Sequence, residues 1–554
     1  MIMKRKNHTI YYFGRTCITV LLIGCISVVT SCDKFLEEDP KGSLSEEETY
    51  NTQDALFNNT VLAIYNYIGG NTASQGLQGT ERGVYDLNTL TTDEAIMPTR
   101  GGDWYDGGYW QTLFRHTWVA GTASLKDTWD YLFKVVMLCN EYLERIETYQ
   151  KTHAEAVLDS YTAELRAVRA MYYFYLMDLF GRVPIIEHTG TATDQTPLSA
   201  RSKTFHYIFK ELQDALPLLS SEHSNSFGTY YGRMTQPVVY FLLAKLALNA
   251  EVYMDDDWTD ATRPTGGSIF FTVDRQSLNA WQTVIAYCDK IEAAGYILSY
   301  NFSDNFCPTN ESSNENIFTI PMDPTLYNNW YCYFFRSRHY CHGAALGGAS
   351  ENGTSATVEV LKAFGYGTEN QDPRFDMTFY AGLVKENGQQ IYEDDGRTPL
   401  VYHPWEVALD VTGSPYEKTA GARLHKYAND PNANADGRNC NNDIVLFRFA
   451  DVLLMRAEAF VRDGKNGDLE LNRVRRRVEM PQRIATLATI QEERILELSQ
   501  EGWRRNDMIR FGIYTQPYTD HPQSANDQKG YTIVFPIPGD LLTMNPSWTQ
   551  NPGY

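Results

Sequence analysis

Apolar residues recur along this chain with helical spacing in two blocks, one on either side of an irregular middle. In LKDTWDYLFKVVMLCNEYLERIETY, Trp129, Leu132, Val136, Leu143 and Ile146 form a stripe, with Asn140 as its polar gap. In AELRAVRAMYYFYLMDLFGRVP the stripe is Leu165, Val168, Tyr172, Tyr175 and Leu179. In TFHYIFKELQDALPLLS it is Phe205, Ile208, Leu212, Ala215 and Leu219. Steps of three and four keep one face of a 3.6-residue helix apolar, so each segment predicts an amphipathic helix. Gly181 followed by Pro184 predicts a helix stop. QPVVYFLLAKLALNAEVYM is apolar nearly all round. It predicts a central buried helix with Pro237 at the first helical position. Helices joined by short connections predict antiparallel pairs stacked as a solenoid, although no clean 34-residue repeat is visible.

Residues 255–440 break the pattern. They hold DDDW, RPTGG and many Asn, Gly, Ser and Tyr, which predicts a loop-rich region with a few short strands and helices. So large an irregular region inside a stable chain is where function is expected. Helices return at DIVLFRFADVLLMRAEAFVRDG and ATIQEERILELSQEGWRRNDMIRFG. Four prolines in FPIPGDLLTMNPSWTQNPGY exclude regular helix over most of the final stretch.

The first residues are of another kind. Lys4, Arg5, Lys6 and Arg15 precede or flank the apolar run Ile18 to Val29, and residues 1–31 contain no Asp or Glu. A basic segment, a short apolar run and small residues before a boundary predict a secretory signal peptide. The run is 12 residues, well short of the ~20 that span a bilayer. Val29-Thr30-Ser31-Cys32 resembles a bacterial lipobox, which makes Cys32 the lipidated first residue of the mature protein. Several acyl chains on one cysteine would anchor it firmly, at about 0.8 kcal/mol per buried methylene.

Removing residues 1–31 leaves 523 residues, with 44 Lys and Arg against 69 Asp and Glu, a net charge of 44 − 69 = −25. Such a surface repels phosphate backbones and so argues against nucleic acid as a partner. The 37 Tyr, 26 Phe and 10 Trp suit a large helical core, or a surface that stacks on flat, weakly charged ligands. The cysteines show no CxxC pairs and no zinc spacing with histidine, and His339-Tyr340-Cys341-His342 matches no closed zinc site. Cys332 and Cys341 are close enough in sequence to bridge a loop.

Catalytic motifs are missing: there is no HExxH, GxSxG, GxxxxGK[ST] or strand-to-helix GxGxxG. Glu497 and Glu501, one helical turn apart, are the best carboxylate pair, but Glu501 with Arg505 reads as an i,i+4 ion pair. Asp93-Glu94 is a looser candidate. No catalysis, metal or cofactor is expected. Binding chemistry is easier to place. A ligand with apolar C–H faces and a rim of hydroxyls is met by aromatic rings, carboxylates and Arg. RGGDWYDGGYW supplies Asp103, Trp104, Tyr105 and Trp110, with Asp106 beyond the first aromatics, and its glycines let the aromatics turn outward. DPTLYNNWYCYFFRSRHY supplies Tyr327, Trp330, Tyr331 and Arg336. The same aromatics could instead plug the core or meet a protein partner.

The order of CDKFLEEDP, AELRAVRAMYYFYLMDLFGRVP, FRFADVLLMRAEA, ERILELSQEGWRRNDMIRFG and FPIPGDLLTMNPSWTQNPGY resembles the SusD/RagB family of Bacteroidetes outer-membrane lipoproteins over nearly the whole chain. The resemblance implies a mainly α fold, four tetratricopeptide-like helix pairs packed against the loop-rich region with its few short strands and helices. It divides the chain into a signal at 1–31, an N-terminal helical region at 32–254 and a C-terminal region at 255–554, the last two in one lobe. It implies a surface lid that binds oligosaccharide or polysaccharide and delivers it to a SusC-like TonB-dependent transporter, held at the outer membrane by its lipid. Peptide capture, as on the RagB side of the family, and a surface glycosidase are the rival readings. The ligand residues named above rest on loop chemistry alone.

Overall fold

Each apolar stripe folds as a helix. The computed structural model describes residues 49–554 except 71–74, 79–80, 192–195, 261, 326–334 and 434–439. The signal segment, Cys32, Tyr327, Trp330, Tyr331 and Cys332 therefore lie outside the described residues. Helix α1 (Ala123–Gln150) buries Trp129, Leu132, Val136 and Ile146. Its polar gap is satisfied in place: Asn140 donates to the Ile186 carbonyl at 2.9 Å and accepts from Arg169 at 2.7 Å. An unpaired amide buried there would cost a few kcal/mol, on the order of 1–3. Helix α2 (Val157–Phe180) stops at Gly181, whose φ of +69° is left-handed. A Cβ at Gly181 would stand 2.8 Å from the Trp258 ring, so glycine is required on both counts.

Helix α3 (Arg201–Ala215) is followed by α4 (Gln236–Leu248), which is buried on nearly every side. Pro237 occupies its second position, one residue later than expected. The one cation of α4, Lys245, is fully buried and donates to Asp451 at 2.5 Å. Burial pulls this lysine down to about 8. Helix α5 (Ala280–Ala293) begins with a reciprocal cap between Asn279 and Gln282. Helices α6 (Phe449–Arg462), α7 (Asp468–Arg477) and α8 (Leu487–Leu498) follow the loop-rich middle. Successive helices pack on one another: α1 on α2, α2 on α3, α3 on α4, α4 on α5, α5 on α6, and α6 on α7 and α8. This is a mainly α, tetratricopeptide-like array, and residues Thr52–Tyr554 form one compact unit.

Strands are short and pair two by two among the described residues. Strand β1 (Ala95–Ile96) leads into the first aromatic loop. Strand β2 (Asn316–Ile320), β3 (Ser355–Ala356) and β4 (Ile444–Arg448) complete the useful set: β1 pairs with β3 and β2 with β4, both antiparallel. Strand β4 corrects the reading of DIVLFR as the start of a helix. All five of its residues are buried. A fully buried strand is apolar without alternation and cannot be told from a buried helix by periodicity.

The motif-rich C-terminal helices meet in a buried ion network. Glu497 contacts Arg374 at 2.8 Å and Arg448 at 2.5 Å, and also pairs with Arg477. Glu501 accepts from Lys426 at 2.5 Å and from Arg448 at 2.7 Å. The expected Glu501–Arg505 pair does not form. Helix α8 ends at Leu498, Gln500 and Gly502 turn left-handed, and Arg505 on α9 (Arg504–Arg510) reaches Asp178 at 3.0 Å instead. Asp93 is held by Arg504 at 2.6 Å. The proline-rich tail straps the array: Phe535 donates its N–H to Leu179, and Asn551 donates to the carbonyls of Phe180 and Phe535.

Candidate functional site

The loop between β1 and the short helix Tyr109–Phe114 is anchored from below and open above. Arg100 and Asp103 exchange backbone hydrogen bonds at 3.0 and 3.1 Å across the Gly101-Gly102 turn. The Arg100 side chain is buried and donates to Ser355 Oγ and the Ala420 carbonyl, both at 2.9 Å, and to the Glu417 carbonyl at 3.0 Å. The loop is thus riveted to β3 and to the 417–420 turn. Asp106, Gly107 and Gly108 then run left-handed, which reverses the chain into the helix.

Trp104 also has a left-handed backbone, φ +59°, a conformation that costs a tryptophan about 1–2 kcal/mol. Two contacts hold it there. Its indole N–H donates to the Glu351 carbonyl at 2.9 Å, and its ring lies directly on the backbone of Gly353. A Cβ at Gly353 would stand 2.8 Å from Trp104 Cε2. Trp104 as a residue is half-buried. Tyr105 beside it is 52% exposed. Asp103 is exposed and accepts from the Tyr340 hydroxyl at 2.9 Å. Tyr340 is 37% exposed, and burial followed by the bond to Asp103 pushes its phenol up to about 12. The outward face therefore carries two or three aromatic rings and one carboxylate.

Trp110 and Arg336 correct the sequence reading. Trp110 is 1% exposed and Arg336 equally buried, so neither can contact a ligand. Arg336 makes a two-pronged pair with Asp86 at 2.6 and 2.9 Å and lies 5.7 Å from the Trp110 ring centre. Trp110 donates to Asp106 at 2.8 Å, and Arg82 bridges the same carboxylate at 2.7 Å while covering the rings of Tyr109 and Trp110. Trp104 meets Trp110 edge-on, ring centres 5.8 Å apart. These buried groups are the floor on which Trp104 rests. They also join the two loops: the Arg336 carbonyl accepts from Gly353 N–H at 2.7 Å, directly under Trp104.

So Asp103 and Tyr105 are exposed, Trp104 is half-buried, Trp110 and Arg336 are buried beneath the loop, and Tyr327 and Trp330 lie outside the described residues. Tyr340, Glu351 and Gly353 were not singled out from sequence. Tyr340 ends the same aromatic-rich stretch as Arg336, which was the one available signal; Glu351 and Gly353 carry none. The candidate carboxylates elsewhere are occupied. Glu497, Glu501 and Asp93 hold buried cations, while Glu94 is pushed up to about 8 by burial and accepts from Gln500 N–H at 3.0 Å. His342 contacts Tyr402 at 3.0 Å and Glu386 at 2.9 Å, and Cys341 donates to Asp394 at 3.1 Å.

Two clefts lie elsewhere. One of about 600 Å³ is lined by Tyr65, Phe227 and Tyr231, and one of about 690 Å³ by Tyr300, Arg473 and Arg476. Neither includes a residue of the aromatic face. Volume favours these clefts as ligand sites; chemistry favours the face.

Comparison with known proteins agrees with this architecture. A family model described as "SusD family" matches residues 314–554, and one described as "Starch-binding associating with outer membrane" matches residues 34–248. The starch-binding protein SusD of Bacteroides thetaiotaomicron is 24% identical over 526 residues, with 87% of each chain covered. Among solved structures, a laminarin binding SusD-like protein superposes with a TM-score of 0.68 at 20% identity, covering 91% of this chain and all of that one. Surface glycan-binding protein A from Bacteroides thetaiotaomicron in complex with laminarihexaose gives 0.66 at 18% identity, with 91% of this chain and 100% of that one covered. The two family models fall on the two regions bearing the motif segments, and the chain belongs to the SusD/RagB family.

Proposed function

We propose that this protein is a non-catalytic, surface-anchored lipoprotein that captures oligosaccharide or polysaccharide at the Trp104 face and passes it to a SusC-like TonB-dependent transporter. The observation that carries the reading is the open face itself. The Trp104 and Tyr105 rings offer apolar surface to the C–H face of a sugar, and Asp103 and the Tyr340 hydroxyl offer hydrogen bonds to its hydroxyls. Relatives named for binding starch and laminarin support the ligand class. The cationic, apolar leader and the Val29–Cys32 stretch support an N-terminal lipid at Cys32 and an outer-membrane address. Carboxylates committed to buried cations support a binder over a glycosidase.

The test uses the mature chain run through native gels containing starch, laminarin and other polysaccharides, each mixture then assayed for new reducing ends. Retardation without release is the expected result, with Kd between about 1 μM and 1 mM. Release of reducing ends, or no retardation by any glycan, would overturn the proposal.

A further inference from the structure

Three fully buried side chains converge where residue 116 meets the C-terminal segment: His116, His521 and Asp527. Their donor atoms lie within 4.8 Å of one another. His116 Nε2 is 2.8 Å from the Thr91 carbonyl and Nδ1 is 2.8 Å from Asp527 Oδ1. His521 Nδ1 is 2.5 Å from the Phe114 carbonyl. Its Nε2 makes no hydrogen bond among the described residues, and Asp527 Oδ2 stands 3.5 Å away.

A carbonyl oxygen can only accept, so each ring must carry a proton on the nitrogen facing the backbone: Nε2 of His116 and Nδ1 of His521. In the neutral rings the other two nitrogens then hold lone pairs, and both point at the same carboxylate. Lone pairs and an anion do not face one another in a dry interior unless something positive lies between them. Asp527 is kept anionic by its remaining donors: Thr532 Oγ1 at 2.6 Å, Ser524 Oγ at 2.7 Å and Ser524 N–H at 3.1 Å.

We propose that His116, His521 and Asp527 bind one divalent transition-metal ion of the zinc class. One nitrogen from each imidazole and one oxygen of Asp527 supply three protein donors, the pattern that leaves a fourth position for water. For a tetrahedral ion with bonds of about 2.0 Å the ligand atoms stand about 3.3 Å apart, and the observed 2.8 and 3.5 Å bracket that separation. Ligating histidines characteristically donate their second N–H to a backbone carbonyl, as both rings do here. Imidazole donors select against calcium and magnesium. Aromatic rings wall the site: Tyr514 stacks on His116 at 4.5 Å, Tyr518 on His521 at 4.3 Å, and Trp118 lies 4.9 Å from His116. An ion held there would fasten the N-terminal half to the C-terminal segment 411 residues away.

The test is elemental analysis of the untagged whole protein, produced with trace metals and purified without chelator. About one transition-metal ion per chain is expected, with His521→Gln lowering occupancy at least about 10-fold while the circular dichroism stays native. Should that variant fail to fold, wild-type protein unfolded in chelator and refolded with Co²⁺ must show the visible absorption of nitrogen- and oxygen-ligated cobalt. Less than about 0.1 ion per chain, with no cobalt band after refolding, would overturn the proposal. In that event ¹⁵N spectra should find His116 protonated on both nitrogens, a proton standing where the ion was assigned.

Discussion

Replacing Gly353 by alanine should weaken glycan binding without touching any ligand-facing atom. The added Cβ would meet Met97 Sδ and Trp104 Cε2 at 2.8 Å and Trp104 Cζ2 at 2.9 Å. Carbon contacts settle near 3.5 Å, so the indole must retreat by about 0.7 Å. A shift of that size disturbs its 2.9 Å bond to the Glu351 carbonyl. Disturbed hydrogen bond and overpacking together predict a stability loss of about 1–3 kcal/mol, read by denaturant unfolding. The platform is displaced rather than removed, so affinity should fall by about 3- to 10-fold, or roughly 0.7–1.4 kcal/mol. Isothermal titration with whichever glycan retards the wild type measures it. Unchanged affinity alongside the expected stability loss would refute the role of Trp104 as platform. If neither quantity changed, the ring would not lie on Gly353 at all.

Three further outcomes follow from the buried charges. Arg336→Met leaves the Asp86 carboxylate buried without its two-pronged partner and should cost about 3–5 kcal/mol in denaturant unfolding, whereas a surface pair would cost under about 1. Glu497→Gln removes the anion shared by Arg374, Arg448 and Arg477 and should destabilise by a similar amount; a near-neutral result would show that the network does not stabilise this end of the array. Glu94 is raised from 4.5 to about 8 by burial, so the folded state holds its proton where the unfolded chain has lost it. Its contribution is full below pH 4.5 and is lost as pH rises to 8, at up to about 1.4 kcal/mol per pH unit. Unfolding at several pH values should therefore show Glu94→Gln gaining on wild type between pH 5 and 8, and parallel stability curves would contradict it.

The long helices were legible because their apolar stripes repeat locally. Even the Asn140 gap marks a real feature, a buried amide facing Arg169 and Ile186. Strand β4 was not, since its five buried residues lack the alternation that identifies a strand. The site was legible in half. Sequence picked out the Gly-rich loop with its exposed Asp103 and Tyr105 and half-buried Trp104, but it also turned Trp110 and Arg336 outward. Arg336 is buried against Asp86, 250 residues away, a partner no local pattern reports, while Trp110 is covered by Arg82 and donates to Asp106 of its own loop. The same limit explains Glu501: Arg505 stands at the right spacing, but the helix breaks between them, and Arg448, 53 residues away, takes the carboxylate. Gly353 carries no chemistry of its own and becomes visible only as the surface on which an indole rests.

The most direct test of glycan capture at this face compares two tryptophans. Trp104→Ala and Trp405→Ala each remove one indole; Trp405 is 49% exposed and packs against Tyr366. Titration calorimetry with the retained glycan should show at least about a tenfold loss for Trp104→Ala and wild-type affinity for Trp405→Ala. Wild-type affinity in Trp104→Ala would contradict the account, and a loss confined to Trp405→Ala would move the binding face elsewhere.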